Sequence, residues 1–508
     1  MKNKFEAETK DELKDKLFSQ DKRLIEAANR LATIIRSVPL DPKYPETEPR
    51  ALIVGGFVRD AILGLHPKDI DTEVYGISAD RLEDLLNQLF PGKVNAVGRA
   101  FGILKIHLAD DVEFDISIPR HESKTGKGHR GFSVTGDPGI SITDAARRRD
   151  FTINAMAADP LTGEIIDPFH GLEDLRTHSL RVTDPERFQD DPLRVYRALQ
   201  FAARMELTVE PESKRLMQEM VKRGDLEELA KERVADEFKK LLLKAKKPSI
   251  GFELARELGI IEKYFPELNA LIGTEQDPKW HPEGDVWTHT MQTVDQAAKL
   301  IREPERNFNE TEKLQVMLGS LCHDLGKPAT TKTIDRRIRS LGHETAGEKP
   351  ARDFCDRLAF SEAVKAGVLV ITTLHLEPGE LYKKKQRHEL DDEQYANAIR
   401  RLIKRIHPVS WRVLIAGSET DSRGKNTEGA KTEPYLPGLL LEATVENKKL
   451  DEEPMKPLLQ GRDLITLGVK PGPLMGKIVR KIEELRDKGA IKSKNEAIDR
   501  AREILERP

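Results

Sequence analysis

The stretch Ala51-Leu52-Ile53-Val54-Gly55-Gly56-Phe57-Val58-Arg59-Asp60, followed shortly by Asp69-Ile70-Asp71-Thr72-Glu73-Val74-Tyr75, decides the reading of the chain. Four apolar residues halted by two glycines make a short buried strand that ends in a tight turn. The run from Asp69 to Tyr75 has the composition of a second strand. Alternate side chains of a strand share a face, so Asp69 and Asp71 offer their carboxylates to the same side. Converging carboxylates are what hard divalent ions require. Two such ions can hold a triphosphate and activate a hydroxyl. Gly55 and Gly56 let backbone amides approach phosphate, and Arg59, on a helix after the turn, can pair with its oxygens. Asp115, on a strand expected over Val112 to Ile118, is the third candidate carboxylate.

Outward from this stretch, helices are expected over Arg23 to Ser37 and Ala79 to Leu89, and a further strand over Ile103 to Leu108. The fold class that follows is multidomain: an α/β head with a mixed sheet, then an all-α neck and an all-α second domain. Helical periodicity dominates from Pro192 to Phe265, Pro278 to Pro282 punctuates the chain, and a second helical block runs to about Gly417. Ser418 to Pro437 is polar and rich in Gly and Thr, and reads as a loop or linker. The expected divisions are 1–22, a charged N-terminal extension; 23–160, the head; 161–268, the neck; 269–425, a histidine-bearing domain; and 426–508, a linker and helical tail with a turn at Pro471-Gly472-Pro473.

The 508 residues carry a formal charge of only -3, so the total does not point to nucleic acid, although basic clusters such as Arg147-Arg148-Arg149 and Lys383-Lys384-Lys385 occur. No apolar run approaches the ~20 residues that cross a bilayer. The first residues do not read as a signal peptide. Two cysteines, Cys322 and Cys355, make no disulfide framework, and a cytoplasmic setting is expected.

Gly55-Gly56-Phe57-Val58-Arg59-Asp60 with Lys68-Asp69-Ile70-Asp71 resembles the first motif of the class II CCA-adding enzymes and bacterial poly(A) polymerases, of the polymerase-β nucleotidyltransferase superfamily. The resemblance continues in order. Arg148-Arg149-Asp150-Phe151-Thr152-Ile153-Asn154 is similar to the second motif, which implies nucleotide contacts from Arg149 and Asn154. Asp190-Asp191-Pro192-Leu193-Arg194-Val195-Tyr196-Arg197 is similar to the motif that selects the base, and Glu232-Arg233-Val234, with Glu237, to the helix that buttresses it. Asp191, Arg194 and Arg197 recur every three residues and would share a helix face. A carboxylate and a guanidinium held there can pair with the edge of cytosine or adenine. Gln200 stands where the resemblance implies another arginine, and Asp190 where it implies glutamate. Arg120-His121-Glu122-Ser123-Lys124-Thr125-Gly126-Lys127-Gly128 resembles the mobile loop that helps such enzymes switch from CTP to ATP.

The order His289, His323-Asp324, Asp421 resembles the HD phosphohydrolase superfamily and implies one metal held by those four residues. Imidazoles and carboxylates with open positions suit a hydrolytic transition-metal site. His343 and His375 can serve a second ion, a substrate phosphate, or neither, and His281 is a further candidate for a phosphate contact. The resemblance implies template-independent addition of CCA to tRNA from CTP and ATP, with Mg2+ on Asp69 and Asp71 and an unidentified divalent transition metal in the HD domain. The alternatives are a poly(A) polymerase or a CC-only or A-only enzyme, an HD hydrolase with a vestigial head, and a non-catalytic RNA-binding protein. No membrane is implied as a partner, and the oligomeric state is open.

Overall fold

The computed structural model describes residues 10–67, 69–98, 103–109, 112–124, 132–450, 458–469, 472–487, 490–491 and 493–506. They fall into two compact units, Met1–Tyr264 and Phe265–Pro508.

The first unit opens on a mixed sheet. Its strands are β1 (Arg50–Val54), β2 (Ile70–Tyr75), β3 (Val94–Gly98), β4 (Ile103–Ala109) and β5 (Val112–Ser117); after a separate hairpin of β6 (Arg120–Lys124) and β7 (Phe132–Gly136) come β8 (Ala157–Ala158) and β9 (Ile165–Ile166). The seven strands run in the order β3-β4-β5-β2-β1-β8-β9. The β2–β5 pair is parallel, and the other neighbours are antiparallel. The β1 residues Ala51 to Val54 are all buried, which is why they read as a continuous apolar run rather than an alternating one. Helix Lys22–Ser37 packs against β1. It buries Leu24, Ile25, Ala28, Leu31, Ala32 and Ile35, the apolar stripe of a helical period. The described part of the N-terminal extension is not set apart: helix Lys10–Phe18 buries Leu13 and Leu17, and Lys16 Nζ donates to the Ile62 carbonyl at 3.0 Å.

Helices Leu193–Met205, Pro211–Arg223, Lys231–Lys244, Ser249–Glu257 and Ile260–Tyr264 follow in this unit. Tyr196, Phe238 and Phe252 pack in a row there, with centroids 6.0 Å apart at each step. The expected all-α neck also contains a two-residue parallel pairing, Ser179–Leu180 with Thr208–Val209.

In the second unit, helices Val286–Leu300, Glu310–Cys322, Glu362–Leu374 and Trp411–Gly424 pack on one another. Close approach is bought by glycine: a Cβ on Gly319 or Gly417 would fall 2.3 or 2.6 Å from Ile371 side-chain atoms. A hairpin, Thr331–Ile334 with Arg337–Ser340, interrupts what the sequence suggested was all helix. The expected loop from Ser418 is shortened at both ends, because helix Trp411–Gly424 includes Ser418 to Gly424 and a further helix, Leu436–Lys448, begins before Pro437. Its polar residues satisfy themselves within the buried helix: Ser418 Oγ donates to the Leu414 carbonyl and Thr420 Oγ1 to the Gly417 carbonyl. Helix Leu436–Lys448 is no linker either, since Leu441 and Val445 share a core with Tyr395, Trp411 and Leu414. The tail helices Pro473–Asp487 and Lys494–Glu506 have their own core, around Leu464, Ile478, Ile482 and Ala497. Pro471, in the expected turn before them, lies outside the described residues.

Candidate active sites

Sheet register builds the first site. β2 and β5 pair in parallel with Asp71 opposite Asp115, and β4 sets Lys105 opposite Asp115 in turn. Asp69 lies just before β2. Alternation therefore gives Asp69, Asp71 and Asp115 one face of the sheet. Lys105 Nζ lies 3.3 Å from Asp115 Oδ2, while the buried Oδ1 has no hydrogen-bond partner. Burial raises the Asp71 carboxyl above its usual range; Arg149 opposes the shift, and Asp115, Glu73 and Asp69 reinforce it. A set of crowded, hard oxygen donors with one buried oxygen left bare fits a divalent cation. Lys68 lies outside the described residues.

Glu73, two residues beyond Asp71 on the same face, is the residue that the sequence reading missed. It is buried, and its Oε1 takes Arg148 Nη2 at 2.5 Å and Arg149 Nη2 at 3.2 Å, while Tyr75 OH donates to Oε2 at 3.0 Å. Burial alone would raise its carboxyl; Arg149 and Arg148 outweigh this and hold it below the usual range. The glycine turn lies against the same arginine. Gly55 has φ +72°, and a Cβ on it would meet Arg149 Nη1 at 2.5 Å. Its amide already donates to the Met156 carbonyl at 3.0 Å, so Gly55 contributes space for Arg149 rather than a phosphate donor. Gly56 is the first residue of helix Gly56–Ile62.

Arg59 is buried rather than open. It is bound to the Asn154 side-chain oxygen and, through Nε at 2.7 Å, to Asp60. Asn154 Nδ2 donates to Asp150 Oδ1 at 2.9 Å, and Arg197 Nε donates to Asp150 Oδ2 at 2.6 Å. Burial would raise Asp150; Arg197 and Asn154 reverse the shift. Arg59 and Arg197 each lie 5.1 Å from the ring of Phe201. This chain of contacts joins the glycine turn, the Arg149 segment and helix Leu193–Met205.

That helix begins at Leu193, so Asp191 precedes it instead of sharing its face. Asp191 Oδ1 accepts the Leu193 amide at 3.1 Å, and Oδ2 pairs with Arg233 Nη2 at 3.2 Å. Arg194 donates to the Arg187 and Arg148 carbonyls at 2.6 and 2.7 Å. Asp191, Arg194 and Arg197 are thus each held by a different neighbour. Gln200 is buried and accepts from Arg204 Nη1 at 3.1 Å. Residues 125–131, which include Thr125 to Gly128 of the lysine- and glycine-bearing loop, lie outside the described residues; β6 and β7 pair on either side of them.

The second site, within the second unit, gathers imidazoles. His289 Nε2 lies 3.0 Å from Asp421 Oδ1 and 3.3 Å from His323 Nε2, which is 3.1 Å from Asp324 Oδ2. On the other side of Asp324, His343 Nε2 is 3.4 Å from Oδ1 and 3.4 Å from His375 Nε2. All six residues are buried. The opposite ring nitrogens are all engaged: Nδ1 of His323 and His343 bond the Ser320 and Ser340 carbonyls at 2.8 Å, that of His375 the Thr372 carbonyl at 3.2 Å, and that of His289 the Glu283 carboxylate at 2.8 Å. Carbonyls and carboxylates only accept, so each Nδ1 carries a hydrogen, which leaves the four Nε2 atoms as the ring positions turned inward. Burial pushes His375 down to about 3, which keeps it neutral. Neither Asp324 oxygen has a hydrogen-bond partner, although Lys327 Nζ lies 2.7 Å from Oδ2. Four inward ring nitrogens gathered around two buried carboxylates fit divalent cations. Three groups have ligand atoms close enough for one ion each: His281-Glu283-His289, and two that share Asp324, His289-His323-Asp324 and Asp324-His343-His375. His281, whose Nδ1 also meets Glu283 at 2.9 Å, stacks edge-on to His289 at 4.7 Å.

Three domain families match in order: the poly A polymerase head domain over residues 51–181, the probable RNA and SrmB-binding site of polymerase A over 206–272, and the HD domain over 286–405. A CCA-adding enzyme solved in complex with ATP superposes with a TM-score of 0.60 at 21% identity, covering 97% of each chain. One in complex with CTP gives 0.58 at 22%, covering 96% of this chain and 98% of the other. The Thermotoga maritima CCA-adding enzyme complexed with tRNA gives 0.53 at 21%, covering 93% and 98%. At these identities the likeness is one of fold across nearly the whole chain. The chain therefore carries a polymerase-type nucleotidyltransferase head and an HD domain. Among the described residues no helix is long and apolar enough to cross a membrane.

Proposed function

We propose that this chain adds CCA to tRNA 3′ ends without a template, using CTP and ATP, and that its HD domain is a metal-dependent phosphohydrolase. The observation that carries the first part is the register that sets Asp71 opposite Asp115 beside Asp69, with Asp115 Oδ1 bare. The solved structures of like fold, described as CCA-adding enzymes with CTP, ATP and tRNA, supply the choice of substrates.

In this reading Asp69, Asp71 and Asp115 hold Mg2+, which when bound lowers the pKa of the tRNA 3′-hydroxyl and neutralises the triphosphate. The residues do the positioning. Glu73 clamps Arg149 in the space that Gly55 leaves, aiming it at the nucleotide's sugar and phosphates. Asn154 and Asp150 tie Arg59 and Arg197 together, so the phosphate side and the base side of the nucleotide are fixed by one network. Asp191 and Arg194 read the base edge in place of a template, with Arg233 bracing Asp191. Catalysis then rests on orientation and charge complementarity. In the HD domain, His289, His323, Asp324 and Asp421 hold one transition ion. Asp324 with His343 and His375 holds a second, their donors being mixed nitrogen and oxygen.

The decisive assay gives tRNA ending at the discriminator base CTP alone, ATP alone, or both, and reads product length. Two added residues with CTP and three with both are expected. Long A tails mean a poly(A) polymerase; one nucleotide kind only means a CC- or A-adding enzyme. Asp71→Ala is expected to abolish incorporation and to leave tRNA binding intact; undiminished incorporation refutes the carboxylate assignment.

A further inference from the structure

The imidazole centre opens into a cleft of about 400 Å³ whose lining includes Asp324, His343 and Asp421, and also Trp280, Lys327 and Arg339. That volume lies at the small end of ligand pockets, roughly 300–1,000 Å³. Two of its features have no part in holding an ion. Trp280 is 56% exposed, whereas Trp287 and Trp411 are 1% and 7% exposed. An exposed indole at the edge of a polar cleft presents a flat face on which another planar ring can stack. Arg339, on the hairpin strand Arg337–Ser340, is exposed and has no ion-pair partner among the described residues.

The backbone beneath both features is held in place. The Trp280 and His281 amides donate to the Asp277 carbonyl at 3.0 and 2.9 Å, which fixes the turn. The Asp277 carboxylate accepts Arg337 Nη2 at 2.9 Å, tying that turn to the hairpin that bears Arg339. The residue after Trp280 is His281, stacked on the ligand histidine His289. Lys279 Nζ sits 5.5 Å from the indole. The cleft thus has an aromatic plate and a free guanidinium around a metal-ready carboxylate.

We infer that Trp280 is the specificity-determining platform of the HD centre, stacking the nucleobase of a substrate whose phosphate reaches Asp324 and its histidines. Arg339 is the second hold, on phosphate or on a neighbouring nucleotide of an RNA end. A phosphate ester without a base fills the inner part of the cleft and leaves the indole bare. The inference rests on the phosphohydrolase reading given above.

All three tryptophans of the chain, Trp280, Trp287 and Trp411, lie in the second unit, and the nucleotidyltransferase head has none. AMP added to the full-length protein should therefore quench tryptophan emission saturably through Trp280, and ribose 5-phosphate should not. Trp280→Ala should remove the response. With manganese present, Trp280→Ala should raise KM for 2′,3′-cyclic AMP by about 10-fold, within the roughly 5- to 150-fold that base–aromatic stacking supplies. KM for base-free glycerol 1,2-cyclic phosphate should not change, and Trp280→Phe should restore most of the difference. A Trp280→Ala variant with unaltered KM for both esters, or one that keeps the AMP response, overturns the platform. If the wild-type protein hydrolyses neither ester with manganese, cobalt or nickel, the phosphohydrolase reading falls instead, and the AMP titration alone decides for or against stacking.

Discussion

Replacing Glu73 by Gln tests whether the head is organised around a buried charge. Glu73 has a 3% exposed side chain and receives Arg148 and Arg149, themselves only 21% and 19% exposed. Gln keeps the shape and one accepting oxygen, but leaves two guanidiniums facing a neutral amide. Breaking a buried ion pair from one side costs about 3–5 kcal/mol. The retained acceptor argues for the lower end, ~3 kcal/mol, or roughly a 100-fold change in the opening equilibrium of the head. The pH dependence follows from the direction of the shift. The folded-state carboxyl of Glu73 is held below its usual value, chiefly because Arg149 and Arg148 overcome the effect of burial. Its stabilisation is therefore fully present above the unfolded value of about 4.3 and disappears as pH falls through the lower folded value. The gap between wild type and Glu73→Gln should be constant from pH 8 to about pH 5.5 and should close in more acid solution. The chain has two compact units, so a single melting temperature does not isolate the effect. Hydrogen exchange in peptides covering β1 and β2 does, and tryptophan emission, confined to the second unit, gives the internal control. Exchange in those peptides that is unchanged within a factor of two at pH 7.5 refutes the buried-charge argument. So does a gap that persists undiminished at the acid end.

Three further outcomes test the remaining geometry. Gly55→Ala should destabilise the head by ~1–3 kcal/mol from backbone strain at φ +72°, and should lower incorporation more steeply than it lowers stability, because its Cβ displaces Arg149; single-turnover CMP addition set beside hydrogen exchange separates the two. Arg194→Ala should blur the choice among CTP, ATP, UTP and GTP in single-nucleotide incorporation, and an unchanged preference removes Arg194 from base reading. Glu283→Gln should weaken metal binding in the HD domain by roughly 10–100-fold in a chelator competition, because His289 loses the carboxylate that fixes its ring; unaltered affinity means that the Glu283 contact does not orient the ligand.

What the sequence revealed was local. Period-two alternation sufficed to put Asp69 and Asp71 on one face, and glycines after an apolar run sufficed to place the turn. Glu73 obeys the same alternation, and an acid in an otherwise apolar half-strand was a usable signal. Its meaning was hidden because its partners lie 75 and 76 residues away, in an arginine run that reads equally well as a solvated surface. Spacing misled at Asp191: intervals of three suggest one helix face, but the helix begins only at Leu193, and the carboxylate accepts that residue's amide instead. Composition misled at Ser418 to Gly424, where serine and threonine side chains close onto carbonyls of their own buried helix and deliver Asp421 to the histidines.

The two centres reach preorganisation by different routes, which explains why one was easier to read than the other. The head's carboxylates are set by strand register, so their convergence is encoded in a two-residue repeat together with one long-range parallel pairing. The HD imidazoles come from separate helices and turns, and their order in sequence says nothing of ring orientation. Yet three of them are oriented by the same short-range device: Nδ1 of His323, His343 and His375 bonds the carbonyl three residues earlier, on Ser320, Ser340 and Thr372. Each contact is local to a helix end or turn and directs Nε2 inward without help from the other imidazoles. Only His289 depends on a side chain, Glu283, and that carboxylate also holds His281 beside the Trp280 turn. The imidazole most open to perturbation is therefore the one joined to the outer cleft, and a change at that turn can reach the centre through Glu283.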